Sequence, residues 1–183
     1  MSDTASLTFD VSTDYFSLFS LSDTFDVDLS ALKAKYLELQ QQCHPDRYAS
    51  ASEVEQRKAV QLTAYLNQAY DALRSPLKRA IYMLERRGQP FDAESQINAD
   101  TEFLLSQLEL REQLETSAEA DDSFAKLDQL MAQAEQDYSA YQKEFVGFYN
   151  QEDWSGAALC IHKLMFASKL IAEIRLKEEL LED

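Results

Sequence analysis

Cys43-His44-Pro45-Asp46-Arg47 is the stretch whose residue types could act on a partner. Pro45 removes a backbone donor and fixes φ, which makes a turn with its neighbouring side chains directed outward. Asp46 offers a carboxylate able to pair bidentately with an arginine. His44 can donate and accept from the edge of the loop. Lys33, Lys35 and Arg47 place positive charge in the same part of the chain. The alternative is an ordinary interhelical turn in which His and Asp cap helix ends.

A second constellation lies in residues 103–114. On a helical wheel of about 100° per residue, Phe103, Gln107, Leu110 and Leu114 form one stripe. Leu104, Leu105 and Leu108 fall on another arc, centred roughly 150° away, beside Glu109 and Glu112. One face of a helical bundle cannot bury both. An apolar patch rimmed by acids is then a binding site or a contact between domains, the latter by burial against residues 77–91. Other chemistry is absent. Cys43 and Cys160, with His44 and His162, do not show the ligand spacing of a structural zinc motif. Reduced thiols and no metal are expected. A P-loop, a nucleotide-binding glycine motif and a nucleophile–base pair are all lacking, so neither an enzyme nor a cofactor is expected.

The loop needs helices on both sides to hold it, and the sequence supplies them. Upstream, Leu29, Leu32, Tyr36 and Leu39 recur at helical spacing; downstream, Leu62, Leu66, Ala69, Tyr70 and Leu73 do the same. Pro45 biases His44 away from the α region, so the first helix should stop near Cys43. Ser50 and Glu53 read as a capping box that restarts the chain, with the next helix running from about Ser52 to Leu73. Asp28 can cap the helix beginning at Leu29. The segment Tyr15-Phe16-Phe19 should close the core of this antiparallel pair. Ser75-Pro76 opens a further helix, Leu77 to Arg87, that ends at Gly88. Beyond Gly88-Gln89-Pro90, three amphipathic helices are predicted at about 100–115, 122–149 and 152–181. The middle one bends or ends early near Gly147, and Asn150 caps the last. They should fold as an antiparallel three-helix bundle.

Composition agrees. The chain has 183 residues, only three Gly and three Pro, and abundant Ala, Leu, Glu, Gln and Lys, which favours an all-α fold. No apolar run approaches the roughly 20 residues of a membrane span, and no secretory signal is visible. A cytoplasmic protein is the default. The net charge of −16 argues against nucleic acid as a partner. The charge is uneven: residues 27–80 carry eight Lys+Arg against six Asp+Glu, while residues 81–183 carry nine against twenty-two. Two surfaces with different partners would account for this. Acidic residues that merely keep the C-terminal helices soluble would account for it too.

His44-Pro45-Asp46 between two such helices resembles the J domain, the module by which co-chaperones switch on DnaK-type ATPases. Asn67-Gln68-Ala69-Tyr70 with Leu73, then Pro76, Arg79 and Tyr82, follows that domain's third and fourth helices. Leu73-Arg74-Ser75-Pro76-Leu77-Lys78-Arg79-Ala80, Tyr82-Met83-Leu84, Phe103-Leu104 and Leu108-Glu109-Leu110-Arg111-Glu112 are similar to the HscB family. Those proteins are co-chaperones of iron–sulfur cluster assembly, and the resemblance spans about residues 14–181. Two features depart from the pattern: Cys43 stands where an aromatic residue is usual, and the helix before the loop is less basic than in many J domains. The polar, mixed residues 1–13 read as a disordered start and the Gly/Pro pair as a linker at 88–99, while the resemblance implies a J domain at 14–87 and a scaffold-binding three-helix bundle at 100–183. It implies docking to a DnaK/HscA-type ATPase through Lys33, Lys35, His44, Pro45, Asp46 and Arg47. It further implies binding of an IscU-type scaffold protein through Leu104, Leu105, Leu108, Glu109, Glu112 and Phe166. The alternative is a J-domain adaptor for a different client.

Overall fold

The computed structural model describes residues 9–93, 101–117 and 123–182. Half of the expected linker (residues 94–99), the first residues of the chain and the expected helix starts at Asp100 and Asp122 lie outside the described residues. Seven α-helices and no strand are found among the described residues. They are α1 (Tyr15–Leu18), α2 (Leu29–Cys43), α3 (Glu53–Arg74), α4 (Pro76–Arg86), α5 (Thr101–Ser117), α6 (Ser123–Asn150) and α7 (Trp154–Glu182). A 3₁₀ turn at Pro45–Tyr48 separates α2 from α3. The chain forms two compact units that divide between Tyr82 and Met83, within α4.

In the first unit, α2 and α3 run antiparallel. Tyr36 Oη donates to Asn67 Oδ1 (2.9 Å), and seven residues later in α2 Cys43 O accepts from Thr63 Oγ1 (3.0 Å), so the pairing advances in α2 as it recedes in α3. Between them, Leu32, Leu39, Leu62, Leu66, Ala69 and Leu73 are buried. Each fully buried leucine stabilises the fold by about 1.5–3 kcal/mol relative to exposure. Leu29 departs from the predicted stripe and is 54% exposed, because it opens α2 one turn before the packed region begins. Asp28 caps α2 as expected, its Oδ1 accepting from the N–H groups of Ser30 (2.9 Å) and Ala31 (3.0 Å). Tyr15, Phe16 and Phe19 are all buried, with Tyr15 stacked on Tyr82 at 4.1 Å between ring centroids. Residues 10–13, expected from sequence to belong to a disordered start, form a turn in which Asp10 Oδ1 accepts from Ser12 N (2.7 Å). Tyr65 Oη donates to Thr13 O at the end of that turn.

The capping box of α3 lies two residues later than predicted. Ser52 and Glu55 make it, Ser52 N donating to Glu55 Oε2 at 2.9 Å, because the 3₁₀ turn and the bend after it consume residues 45–51. α4 ends as predicted at a left-handed glycine. Gly88 has φ of +73°, its N–H donates to Glu85 O (2.9 Å), and Gln89 N donates to Leu84 O (3.4 Å), a Schellman motif.

The second unit contains an up-down-up bundle. α6 and α7 are antiparallel, with Glu144 beside Lys163 (3.1 Å) and Glu135 beside Arg175 (3.9 Å). α5 runs parallel to α7, since Phe103 packs on Phe166 and Arg111 approaches Glu173 (3.9 Å). Leu114, Leu127, Leu130, Ala134, Leu170 and Ile174 form one core cluster. α6 continues through Gly147 to Asn150, so it does not end early there. Asp153, not Asn150, caps α7: Asn150 is still helical, and Asp153 Oδ1 accepts from Gly156 N (2.9 Å). Gly156 lies close to α6, where an added Cβ would lie 2.5 Å from the Phe148 ring.

Candidate docking surfaces

The loop of the first unit begins where α2 can no longer continue. His44 is extended (φ −58°, ψ 127°), as a residue before proline should be, and Pro45 opens the 3₁₀ turn. His44 Nδ1 accepts from Asp46 N (3.3 Å) and lies 3.6 Å from Asp46 Oδ2. The turn is fastened from behind: Arg47 Nη1 donates to Gln41 O (2.9 Å), and Tyr48 Oη donates to Gln42 O (3.1 Å). Gln56 Nε2 reaches back from α3 to Ala49 O (3.2 Å) and Ala51 O (3.0 Å). With its backbone so held, the turn leaves the side chain of Asp46 92% exposed and that of His44 52% exposed. Pro45 is half-buried.

The three cations differ in role. Lys33 is exposed. Lys35 is half-buried and bonded to both carboxylate oxygens of Glu38 at 2.9 Å. Two residues apart on a helix, Lys33 and Lys35 lie on different flanks of α2. Arg47 is exposed and donates to Gln41 O at the end of α2.

In the second unit α5 divides as its wheel predicts. Phe103 and Leu114 are buried, and Gln107 and Leu110 are partly so. Leu104, Leu105 and Leu108 are 42%, 55% and 65% exposed, with Glu109 and Glu112 exposed beside them. Phe166 is half-buried and packs edge-on against Phe103 (5.7 Å), which brings it next to the residue that precedes Leu104. Lys163 lies over the rings of Phe103 (5.9 Å) and Tyr141 (5.2 Å).

The cysteines and histidines make no site. Cys43 and Cys160 are buried free thiols. Burial and the Glu144 carboxylate push Cys160 up to about 12, so it is not a thiolate near neutral pH. His162 is buried against Phe91, which holds its pKa below the ordinary value. Among the described residues no group of three or more His, Cys, Asp or Glu could hold a metal ion. Among them, too, no helix is long and apolar enough to cross a membrane. Sequence reasoning passed over Tyr48, Gln56 and Thr63, the residues that hold the loop. Their signal was indirect: a helix ending at Cys43 leaves terminal carbonyls that need donors from somewhere.

A His-Pro-Asp turn between paired helices, followed by a three-helix bundle, defines a J-domain co-chaperone. A family model described as the HSCB C-terminal oligomerisation domain matches residues 99–175. The co-chaperone protein HscB homolog of Pseudoalteromonas atlantica is 41% identical over 172 residues, covering 92% of this chain and 98% of that protein. The solved structure of the chaperone HscB from Vibrio cholerae matches with a TM-score of 0.84 at 38% identity, covering 92% of this chain and 99% of that one. The crystal structure of the human co-chaperone protein HscB also gives 0.84, at 27% identity over 93% of this chain and 84% of that one. The chain belongs to the HscB family, the J-domain co-chaperones of iron–sulfur cluster assembly.

Proposed function

We propose that the chain stimulates ATP hydrolysis by an HscA-type member of the DnaK chaperones and brings an IscU-type iron–sulfur scaffold protein to it, in the cytoplasm. In this reading residues 14–87 act as the J domain and residues 88–99 link it to the scaffold-binding bundle of residues 100–183. Asp46, with His44 and Pro45, engages the ATPase, and Lys33 supplies long-range attraction. Leu104, Leu105 and Leu108 with Phe166 receive an apolar surface of the scaffold, and Glu109 and Glu112 border it. Binding both partners on one chain raises the concentration of each as experienced by the other.

The observation that carries this reading is the Asp46 side chain, 92% exposed although its backbone is fixed within a 3₁₀ turn. A carboxylate held outward in one geometry is prepared to accept two parallel hydrogen bonds from a partner guanidinium. The test is steady-state ATP hydrolysis by the purified chaperone, titrated with the full chain in the presence and absence of scaffold. A saturable rise that scaffold increases further is expected. A rate unchanged at every concentration overturns the docking role. A rise indifferent to the scaffold but raised by another client overturns the scaffold assignment.

A further inference from the structure

An α-helix leaves its last four carbonyls without intrahelical donors. At the end of α2 these are Gln40, Gln41, Gln42 and Cys43, directly before His44. Every one of them meets a side chain. Cys43 Sγ lies 3.9 Å from Gln40 O, a weak thiol contact. Arg47 Nη1 donates to Gln41 O (2.9 Å), Tyr48 Oη to Gln42 O (3.1 Å), and Thr63 Oγ1 to Cys43 O (3.0 Å). Two of these donors follow the tripeptide and one stands on α3, so the tripeptide is enclosed between its own fastenings. The charge on Arg47 also suits its place, because a cation at a helix C-terminus meets the negative end of the macrodipole.

From this we infer that Arg47, Tyr48 and Thr63 are positioning residues for the His44-Pro45-Asp46 loop. They act by completing the C-terminus of α2, and Arg47 serves in this way rather than as a docking charge. The inference rests on the docking role proposed above for the loop. It separates Arg47, which is bonded to Gln41 O at the end of α2, from Lys33, although both are exposed. Tyr48→Phe and Thr63→Val remove a single hydroxyl each, keep the packing volume and leave the net charge unchanged. If the loop is positioned in this way, both variants lower maximal ATPase stimulation, and the concentration of co-chaperone giving half the effect changes less. Arg47→Gln should act alike and keep the wild-type dependence of docking on salt, whereas Lys33→Gln should flatten it.

The decisive measurement is hydrogen exchange of the backbone amides of His44 and residues 46–49 in the full chain, beside its thermal midpoint. Losing one such bond should speed exchange there by about fivefold or more, with the rest of α2 and α3 little changed. This readout needs no partner, so it separates failure of the inference from failure of the docking reading, which would appear as wild-type protein that does not stimulate. Wild-type exchange in Tyr48→Phe and Thr63→Val overturns the inference. So does an Arg47→Gln variant that loses salt dependence while the loop amides remain protected. If a variant unfolds, Arg47→Lys, which retains a donor and a charge, must restore protection of the loop for the assignment to stand.

Discussion

The loop of the first unit and the leucine patch of the second expose partner-facing groups by opposite means. His44 and Asp46 stand on an irregular turn, and three side chains from outside the tripeptide bond the carbonyls of the α2 end that leads into it. Leu104, Leu105 and Leu108 stand on an uninterrupted helix, and the burial of Phe103 and Leu114 fixes their direction. Polar recognition depends on angle and distance, so it requires a rigid frame. Apolar recognition depends on area and tolerates small rotations. The loop should therefore be sensitive to isosteric changes that remove one hydrogen bond, and the patch to changes in volume.

The largest effect expected from this contrast is at the loop. His44→Gln and Asp46→Asn each retain size and polarity but lose an imidazole or a charge. Charge-assisted hydrogen bonds are worth about 1.5–3 kcal/mol, so stimulation should fall by roughly one to two orders of magnitude. Both side chains are exposed, so helicity and the thermal midpoint should stay within a degree or two of wild type. Circular dichroism melts run beside the ATPase assay decide it. A variant that unfolds, or one that stimulates fully, would remove the loop from the mechanism.

Much of this architecture was legible in the sequence, and the misses share a cause. The α5 wheel located both stripes because helical phase is a property of one segment, set by its own period. Asp28, Gly88 and the stop at Cys43 were readable because each depends on a residue's own backbone preference. The capping box at Ser52 and Glu55 was misplaced by two residues because the intervening turn takes its length from tertiary hydrogen bonds, among them Gln56 to Ala49 and Ala51. Thr63 was invisible for the same reason. Its hydroxyl matters only because α3 packs against the end of α2, twenty residues earlier in the chain.

The patch gives the second effect. Each Leu→Ala at 104, 105 or 108 should weaken scaffold binding by about 1–2 kcal/mol, the more central residues most. The cost to folding should be well under the roughly 2–5 kcal/mol of a buried Leu→Ala. Leu114→Ala, one helix face away and 7% exposed, should do the reverse: it loses stability on that scale and affects affinity only through the fraction unfolded. The triple alanine variant should still stimulate the ATPase by itself but fail to add scaffold to the complex. Calorimetric titration beside thermal melts separates the two classes. If the triple variant lost stability and kept its affinity, the three leucines would belong to a core and the scaffold would bind elsewhere.

The smallest effect sharpens the contrast from the buried side. His162 is 7% exposed and packs on Phe91 at 4.7 Å between ring centroids. Burial lowers its pKa from the ordinary 6.5, and the nearby Asp92 carboxylate opposes this without reversing it. The folded state therefore favours the neutral imidazole, and the unfolded chain takes up the proton first as pH falls. The stability this residue contributes is fully present above about pH 6.5 and is lost as pH falls from there through the folded pKa. His162→Gln, which cannot titrate, should flatten the decline in thermal midpoint between pH 7.5 and pH 5.5 by a few degrees at most. Taking the difference between wild type and variant at each pH cancels the carboxylates common to both. A wild-type midpoint that rises on acidification relative to His162→Gln would mean that the folded unit prefers the charged ring, and that Asp92 outweighs burial.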